Sequence, residues 1–261
     1  MSPQRMPALF LGHGSPMNVL EENRFTTAWR KLGETLPRPR AILMISAHWY
    51  TSGTAVTASA HPRTVHDFGA FPQALFDTQY RAPGLPALAQ HVADMLAPAR
   101  VTLDEGRGLD HGCWGVLSSM YPEADIPVVQ LSVDATLSPV GHFQLGRKLA
   151  DLRERGVMIV ASGNVVHNLA ELRRGQEAAA LPWATSFNQY VRDNVQWRED
   201  GEQHPLVNFM RHPDAALSNP TTEHYLPLLY VLGAQQSGDA VHFPVDGIVM
   251  GTLSMLSIQV G

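Results

Sequence analysis

AILMISAHW, residues 41–49, opens with the apolar run Ala41–Ser46 and leads on to a histidine and a tryptophan, His48 and Trp49. A short run that is apolar at successive rather than alternate positions reads as a strand covered on both faces, and such strands belong to parallel sheets. Ala8–Leu11, Ile126–Val133, Val157–Ala161 and Gly247–Ile258 read the same way, the last in one or two pieces. Between them, Phe25–Leu36, Leu85–Leu96, Phe143–Arg155, Trp183–Trp197 and Tyr225–Gly233 carry helical patterns. In the second of these, Leu85, Leu88, Ala89, Val92, Met95 and Leu96 recur at the three- and four-residue spacing of an amphipathic helix. Pro139 stands upstream of the third, and Gly156 follows it as a stop signal. Alternating strands and helices predict an α/β fold: a mostly parallel central sheet flanked by helices on both faces, in a single compact domain spanning residues 1–261.

In sheets of this kind, functional groups gather beyond the carboxyl ends of the strands. Three runs lead there to histidine: ALFLGHG to His13, AILMISAHW to His48 and VMIVASGNVVH to His167. Imidazole is the commonest protein ligand for zinc and iron, and its pKa also suits proton transfer near neutrality. Taken singly, His13 between two glycines reads equally as a turn residue, and His48 beside Trp49 and Tyr50 as a satisfied core histidine. At equivalent strand exits they read as a metal-binding pair. His167 fits a further ligand, an acid–base group or a polar capping loop. His111, in LDHGCW, has Asp110 beside it, either to orient the ring for chemistry or to make a local hydrogen bond. Glu223 and His224 are adjacent, and adjacent side chains diverge, so one of the two is expected on the metal. Glu223 would complete a two-histidine, one-carboxylate site; His224 would give an all-histidine site as suited to zinc as to iron. Of the remaining histidines, His66 and His212 are the ones expected near a substrate. His61, His91, His142, His204 and His242 read as surface or structural.

Composition narrows the function. The net charge is −5 and no run of Lys or Arg exceeds two residues, so the basic patch that a nucleic-acid surface needs is missing. No apolar stretch approaches the roughly 18 residues of a membrane span. The polar lead Met1–Pro7 runs straight into a strand and does not read as a signal peptide. Cys113, the sole cysteine, cannot close an intramolecular disulfide and reads as a small buried apolar group. Both observations predict a cytoplasmic protein. Zinc-finger spacing, GxGxxG and Walker loops are absent, and Gly12-His13-Gly14-Ser15 lacks the G-x-S-x-G pattern of a hydrolase elbow. Oligomeric state is not legible.

Nearly end to end, the chain resembles the class III extradiol ring-cleavage dioxygenases, in the branch of the 4,5-DOPA extradiol dioxygenases. The likeness is carried in order by LFLGHGSPMN, ILMISAHWY, HDFGAFPQALFDTQYRAPG, RGLDHGCWGVL, QLSVD, ASGNVVHNL, TTEHYLPLL and GIVMGTLSM. The resemblance implies insertion of O2 into a DOPA-like or otherwise substituted catechol, giving a ring-opened semialdehyde at a mononuclear metal. It implies His13, His48 and His224 on the metal, His167 as an acid–base histidine within reach of it, and His111 lining the site. It implies Fe(II) for activity, with Zn(II) able to occupy the site of isolated protein but without accessible redox chemistry. One segment departs: the family's D-F-Y-G-F-P reads Asp67-Phe68-Gly69-Ala70-Phe71-Pro72, which loses an aromatic near the expected substrate entrance. Distant protocatechuate-cleaving relatives use a glutamate as third ligand, so Glu223 and His224 stay alternatives. The residues themselves also admit a zinc hydrolase using metal-bound water, or a non-catalytic binding protein with a vestigial site.

Overall fold

The computed structural model describes residues 5–198 and 201–261, so the first four residues of the polar lead lie outside the described residues. Its strands are β1 (Ala8–Gly12), β2 (Ala41–Thr51), β3 (Thr54–Thr57), β4 (Val101–Asp104), β5 (Val128–Asp134), β6 (Val157–Gly163), β7 (Val241–Val245), β8 (Ile248–Val249), β9 (Leu253–Ser254) and β10 (Ser257–Val260). Its α-helices are α1 (Arg24–Thr35), α2 (Gln73–Asp77), α3 (Pro86–Met95), α4 (His111–Met120), α5 (Pro139–Leu149), α6 (Pro182–Asn194), α7 (Ala215–Ser218) and α8 (Pro227–Ala234).

Eight strands form one sheet in the order β4-β3-β5-β2-β6-β1-β10-β7. Its centre, β5-β2-β6-β1, is parallel throughout, with β10 and β7 added antiparallel at one edge. Period-two alternation sends neighbouring residues to opposite faces. Leu9, Leu11, Ile42, Met44, Met158 and Val160 pack beneath α1 and α4 with Trp29 and Trp114. Phe10, Leu43, Ile45, Leu131, Ile159 and Ala161 pack against α3, α5, α6 and α8. Both faces are covered, so the expected α/β architecture is the observed one.

The strand and helix limits differ in instructive ways. Pro139 is the first residue of α5, whose N-cap is Ser138, so that helix starts earlier than its apolar pattern. α4 carries no amphipathic signal because nearly all of it is buried and it contains two glycines, which hid it from periodicity. Cys113 is fully buried within it, as expected. The run Gly247–Ile258 is not one or two long strands. It folds as the β8–β9 hairpin, outside the main sheet, before β10 begins at Ser257. The edge strands β4 and β7, and β3 next to β4, are four or five residues long and too mixed to stand out in sequence.

Candidate active site

The parallel strands deliver their carboxyl ends to one side of the sheet, and five histidines meet there. His13 follows β1 directly, its N–H donating to the Gly163 carbonyl at 3.0 Å. His48 does not leave a strand end as expected: β2 continues to Thr51. Between Ile45 and Tyr50 its pairing with β5 is irregular, five steps on β2 answering two on β5. That bulge re-aims His48 toward the site. His111 is the first residue of α4, and His167 follows β6 by four residues. His224 comes from the segment before α8. It reaches the others because Gly163 has no side chain, since a Cβ there would lie 2.1 Å from the His224 carbonyl oxygen. Gly112 works similarly: a Cβ would meet Ser46 Oγ at 2.3 Å and the His48 ring at 2.9 Å.

The ring nitrogens are sorted by their partners. His13 Nδ1 lies 2.7 Å from Ser162 Oγ, which leaves its Nε2 facing His48 Nε2 at 3.1 Å. His224 Nδ1 lies 3.1 Å from Glu223 Oε1, while its Nε2 is buried without a hydrogen-bond partner. Burial alone would raise the Glu223 pKa, but the bonds from His224 and its surroundings hold it at about 2. As an ionised carboxylate it accepts, so His224 Nδ1 carries a proton and Nε2 is the ring nitrogen left without a partner. His111 is held in the same way. Its ring Nδ1 and its backbone N–H both reach Asp67 Oδ1, at 2.9 and 3.0 Å. Asp67 Oδ2 lies 3.6 Å from His48 Nδ1. Burial opposes the charge on Asp67, yet the His111 hydrogen bonds and the nearby imidazoles bring its pKa to about 2.

Burial, reinforced by the other imidazoles, drives the pKa of His13 and His48 well below the ordinary histidine value. Burial and His224 lower His167 to about 3. Neutral imidazoles with free lone pairs are what a cation requires. Two nitrogens bound to one zinc ion at about 2.0–2.1 Å, at 90–110°, stand roughly 2.8–3.4 Å apart, which the His13–His48 separation matches. The orphaned Nε2 of His224 supplies the other mark of a metal site, its ring centroid 5.3 Å from that of His13 and 5.0 Å from that of His48. His13, His48 and His111 also offer nitrogens within 4.8 Å of one another, as do the ligand atoms of His167, Glu223 and His224. His167 and His224 stack face to face, centroids 3.5 Å apart and planes 5° from parallel. An imidazole lone pair lies in the plane of its ring, so these two rings as arranged do not direct lone pairs at one ion.

These groups close one end of a cavity of about 440 Å³. His13, His48, Asp67, His111, His167 and His224 form its polar end, and Phe68, Phe71, Leu169, Leu172, Met250 and Leu253 its apolar walls. Neither His66 nor His212 lines it. His66 Nε2 bonds the Thr78 carbonyl at 2.9 Å and its ring supports Phe68 edge-on, while His212 packs on Tyr190. Asp110 does not orient the His111 ring. It caps α4 through the Cys113 N–H at 3.1 Å and pairs with Gln130. The carboxylate that holds the ring is Asp67, and Ser162 is the partner of His13. Sequence reasoning named neither, because each acts across more than 40 residues of chain. Among the described residues, no helix is long and apolar enough to cross a membrane.

Residues 7–255 match the family model of the catalytic LigB subunit of aromatic ring-opening dioxygenase. The 4,5-DOPA dioxygenase extradiol of Escherichia coli K12 is 62% identical over 262 residues, covering 100% of this chain and 97% of that protein. The protein of the same name from Beta vulgaris is 36% identical, with 92% of each covered. A crystal structure of an uncharacterised Escherichia coli K12 protein superposes with a TM-score of 0.89 at 57% identity, over 98% of this chain and 100% of that one. A histidine-walled cavity at the carboxyl edge of a parallel sheet and full-length likeness to these proteins lead to one conclusion: the chain belongs to the LigB family of aromatic ring-opening dioxygenases, in the branch of the extradiol 4,5-DOPA dioxygenases.

Proposed function

We propose that the whole chain, residues 1–261, is one catalytic domain of a cytoplasmic extradiol dioxygenase that opens a substituted catechol with O2 at a single metal ion. The observation that carries this is the facing Nε2 pair of His13 and His48 beside the orphaned Nε2 of His224, at the floor of a cavity able to hold an aromatic ring. His13, His48 and His224 would hold the metal, with Ser162 and Glu223 fixing the ring tautomers of His13 and His224, as outer partners of metal-bound imidazoles do. Fe(II) bound there supplies the passage of electrons from the catechol to O2, a step unavailable to zinc.

The remaining residues handle protons. His167 is neutral at pH 7, and its stacking on His224 argues for the proton rather than the metal. An anionic catecholate arriving beside it would stabilise the imidazolium and equip His167 to take the hydroxyl proton. His111 lines the cavity with its Nδ1 held by Asp67 Oδ1 at 2.9 Å, which leaves Nε2 as the ring nitrogen available to a proton of the substrate. The apolar walls offer few groups that would hold water beside a bound ring. The His13, His48 and His111 grouping favours a second ligand set, with His111 in place of His224.

Anaerobic reconstitution with Fe(II), followed by oxygen-uptake measurements over substituted catechols, tests the proposal. Stoichiometric O2 consumption with appearance of a yellow semialdehyde is expected. Ester or amide hydrolysis by the zinc form, indifferent to O2, would replace this reading with a hydrolase. Tight catechol binding without turnover in the iron form would replace it with a binding protein.

A further inference from the structure

His48 brings its ring into the site from the bulge in β2, where the regular pairing with β5 is interrupted. Side chains meet both polar backbone groups of this residue. The His48 N–H donates to Ser46 Oγ at 3.2 Å, and the His48 carbonyl accepts from Arg107 Nη2 at 3.1 Å. Ser46 and Arg107 come together again at Asp110. Ser46 hydrogen-bonds the Asp110 side chain, and Arg107 Nη2 stands 3.6 Å from Asp110 Oδ2. The four residues close a ring of contacts around the His48 backbone. Gly112 leaves room for it, since a Cβ there would lie 2.3 Å from Ser46 Oγ and 3.4 Å from Asp110 Oδ1.

Asp110 is fully buried, and elements other than β2 fix its place. It caps α4 through the Cys113 N–H, its side chain accepts from Gln130 on β5, and its own N–H donates to Gln130 Oε1 at 3.2 Å. The next residue is His111, whose ring centroid lies 3.8 Å from that of His48. The ring of contacts therefore ties the β2 bulge to the start of the helix that carries a second histidine of the site.

Arg107 is itself well placed for this. Its backbone N–H donates to Asp104 Oδ1 at 2.9 Å, and its guanidinium lies over the Trp49 ring, 5.6 Å from the centroid. It does not line the cavity, and its side chain keeps 23% exposure. A planar guanidinium presents donors in fixed directions, which suits one nitrogen set between a carbonyl and a carboxylate; the ammonium of lysine does not hold such a geometry. We propose that Arg107 is a positioning residue: with Asp110 and Ser46 it clamps the backbone of His48 and so sets where that ring stands relative to His13 and His111. This rests on the reading of His48 as a metal ligand given above.

The test measures Zn(II) affinity by chelator competition and the visible absorption of the Co(II)-loaded protein, with thermal unfolding of the metal-free chain alongside. Arg107→Met keeps an aliphatic chain over Trp49 and removes the donors; Arg107→Ala removes both. Each should weaken zinc about tenfold, the low end for outer partners of a metal site because the contact is to the ligand's backbone and not its ring. Each should also change the Co(II) bands, while Tm of the metal-free protein moves by only a few degrees. Added guanidinium chloride at low millimolar concentration should restore much of the affinity of Arg107→Ala, and sodium chloride of equal ionic strength should not. Ser46→Ala should weaken zinc as well, and the double variant Ser46→Ala, Arg107→Ala should lose less than the product of the two, because both act on one backbone segment. Wild-type affinity and an unaltered Co(II) spectrum in Arg107→Met and Arg107→Ala overturn the proposal. So does a loss that follows a collapse in Tm and is not restored by guanidinium, which would make Arg107 a structural residue only. Losses that multiply in the double variant overturn the shared clamp. Failure of the wild-type chain to bind either Zn(II) or Co(II) would remove the metal-site reading, and this inference with it.

Discussion

Glu223→Ala should weaken the metal site without abolishing it, whereas His224→Ala should abolish it. Glu223 Oε1 accepts from His224 Nδ1 at 3.1 Å and from Thr221 Oγ1 at 2.9 Å, and its side chain keeps 21% exposure. A hydrogen bond to a charged group contributes about 1.5–3 kcal/mol net, and water entering this half-buried position would recover part of it. The remainder, roughly 1.5–2 kcal/mol, is a loss of about 10- to 30-fold in affinity, within the range seen when an outer partner of a metal-bound histidine is removed. His224→Ala deletes the unpartnered Nε2 itself, and His13→Ala deletes one of the facing pair. Both should lose stoichiometric binding with the fold intact. The assay is Zn(II) competition against a chromophoric chelator, with circular dichroism to verify folding. One tight zinc per chain in His224→Ala, combined with complete loss in Glu223→Ala, would refute the argument and make the carboxylate the ligand. Retention in His224→Ala with loss in His111→Ala would transfer the third position to His111.

Three further outcomes follow from the geometry. His167→Ala should keep its metal and bind catechol but turn over about 10²–10⁴-fold more slowly by single-turnover oxygen uptake, since its ring stacks on His224 instead of sharing an ion with it. Ala70→Gly removes a left-handed alanine and should raise stability by about 0.5–1 kcal/mol, a gain of a few degrees in Tm, after allowing for the extra unfolded-state freedom of glycine. Burial lowers the fully buried His142, whose Nδ1 lies 3.1 Å from Tyr230 Oη, to about 4 against 6.5 in the unfolded chain. The fold therefore favours its neutral form: the stability at stake is intact above pH 6.5 and lost as pH falls toward 4. At about 1.4 kcal/mol per pH unit the loss is at most roughly 3 kcal/mol, and chemical denaturation from pH 7 to 4 should show a shallower decline in His142→Phe.

The alternation of apolar runs and helical patterns sufficed for the fold class, because strands buried on both faces are written as continuous Ile, Leu and Val. It also brought His13, His48 and His167 to one edge, since parallel strands share a direction. The motifs carried the family. Local pattern could not reveal α4, which is apolar on all sides, or the bulge in β2 that turns His48 inward. Nor could it place the Glu223 carboxylate against its neighbour's Nδ1, a contact that depends on how the glutamate folds back. Asp67 meets His111 across 44 residues, and Ser162 meets His13 across 149. Such partners leave no periodicity in the chain. The histidines at the site were written in the sequence; the partners that hold the rings of His13, His111 and His224 were decided by side chains that only the packed sheet brings within reach.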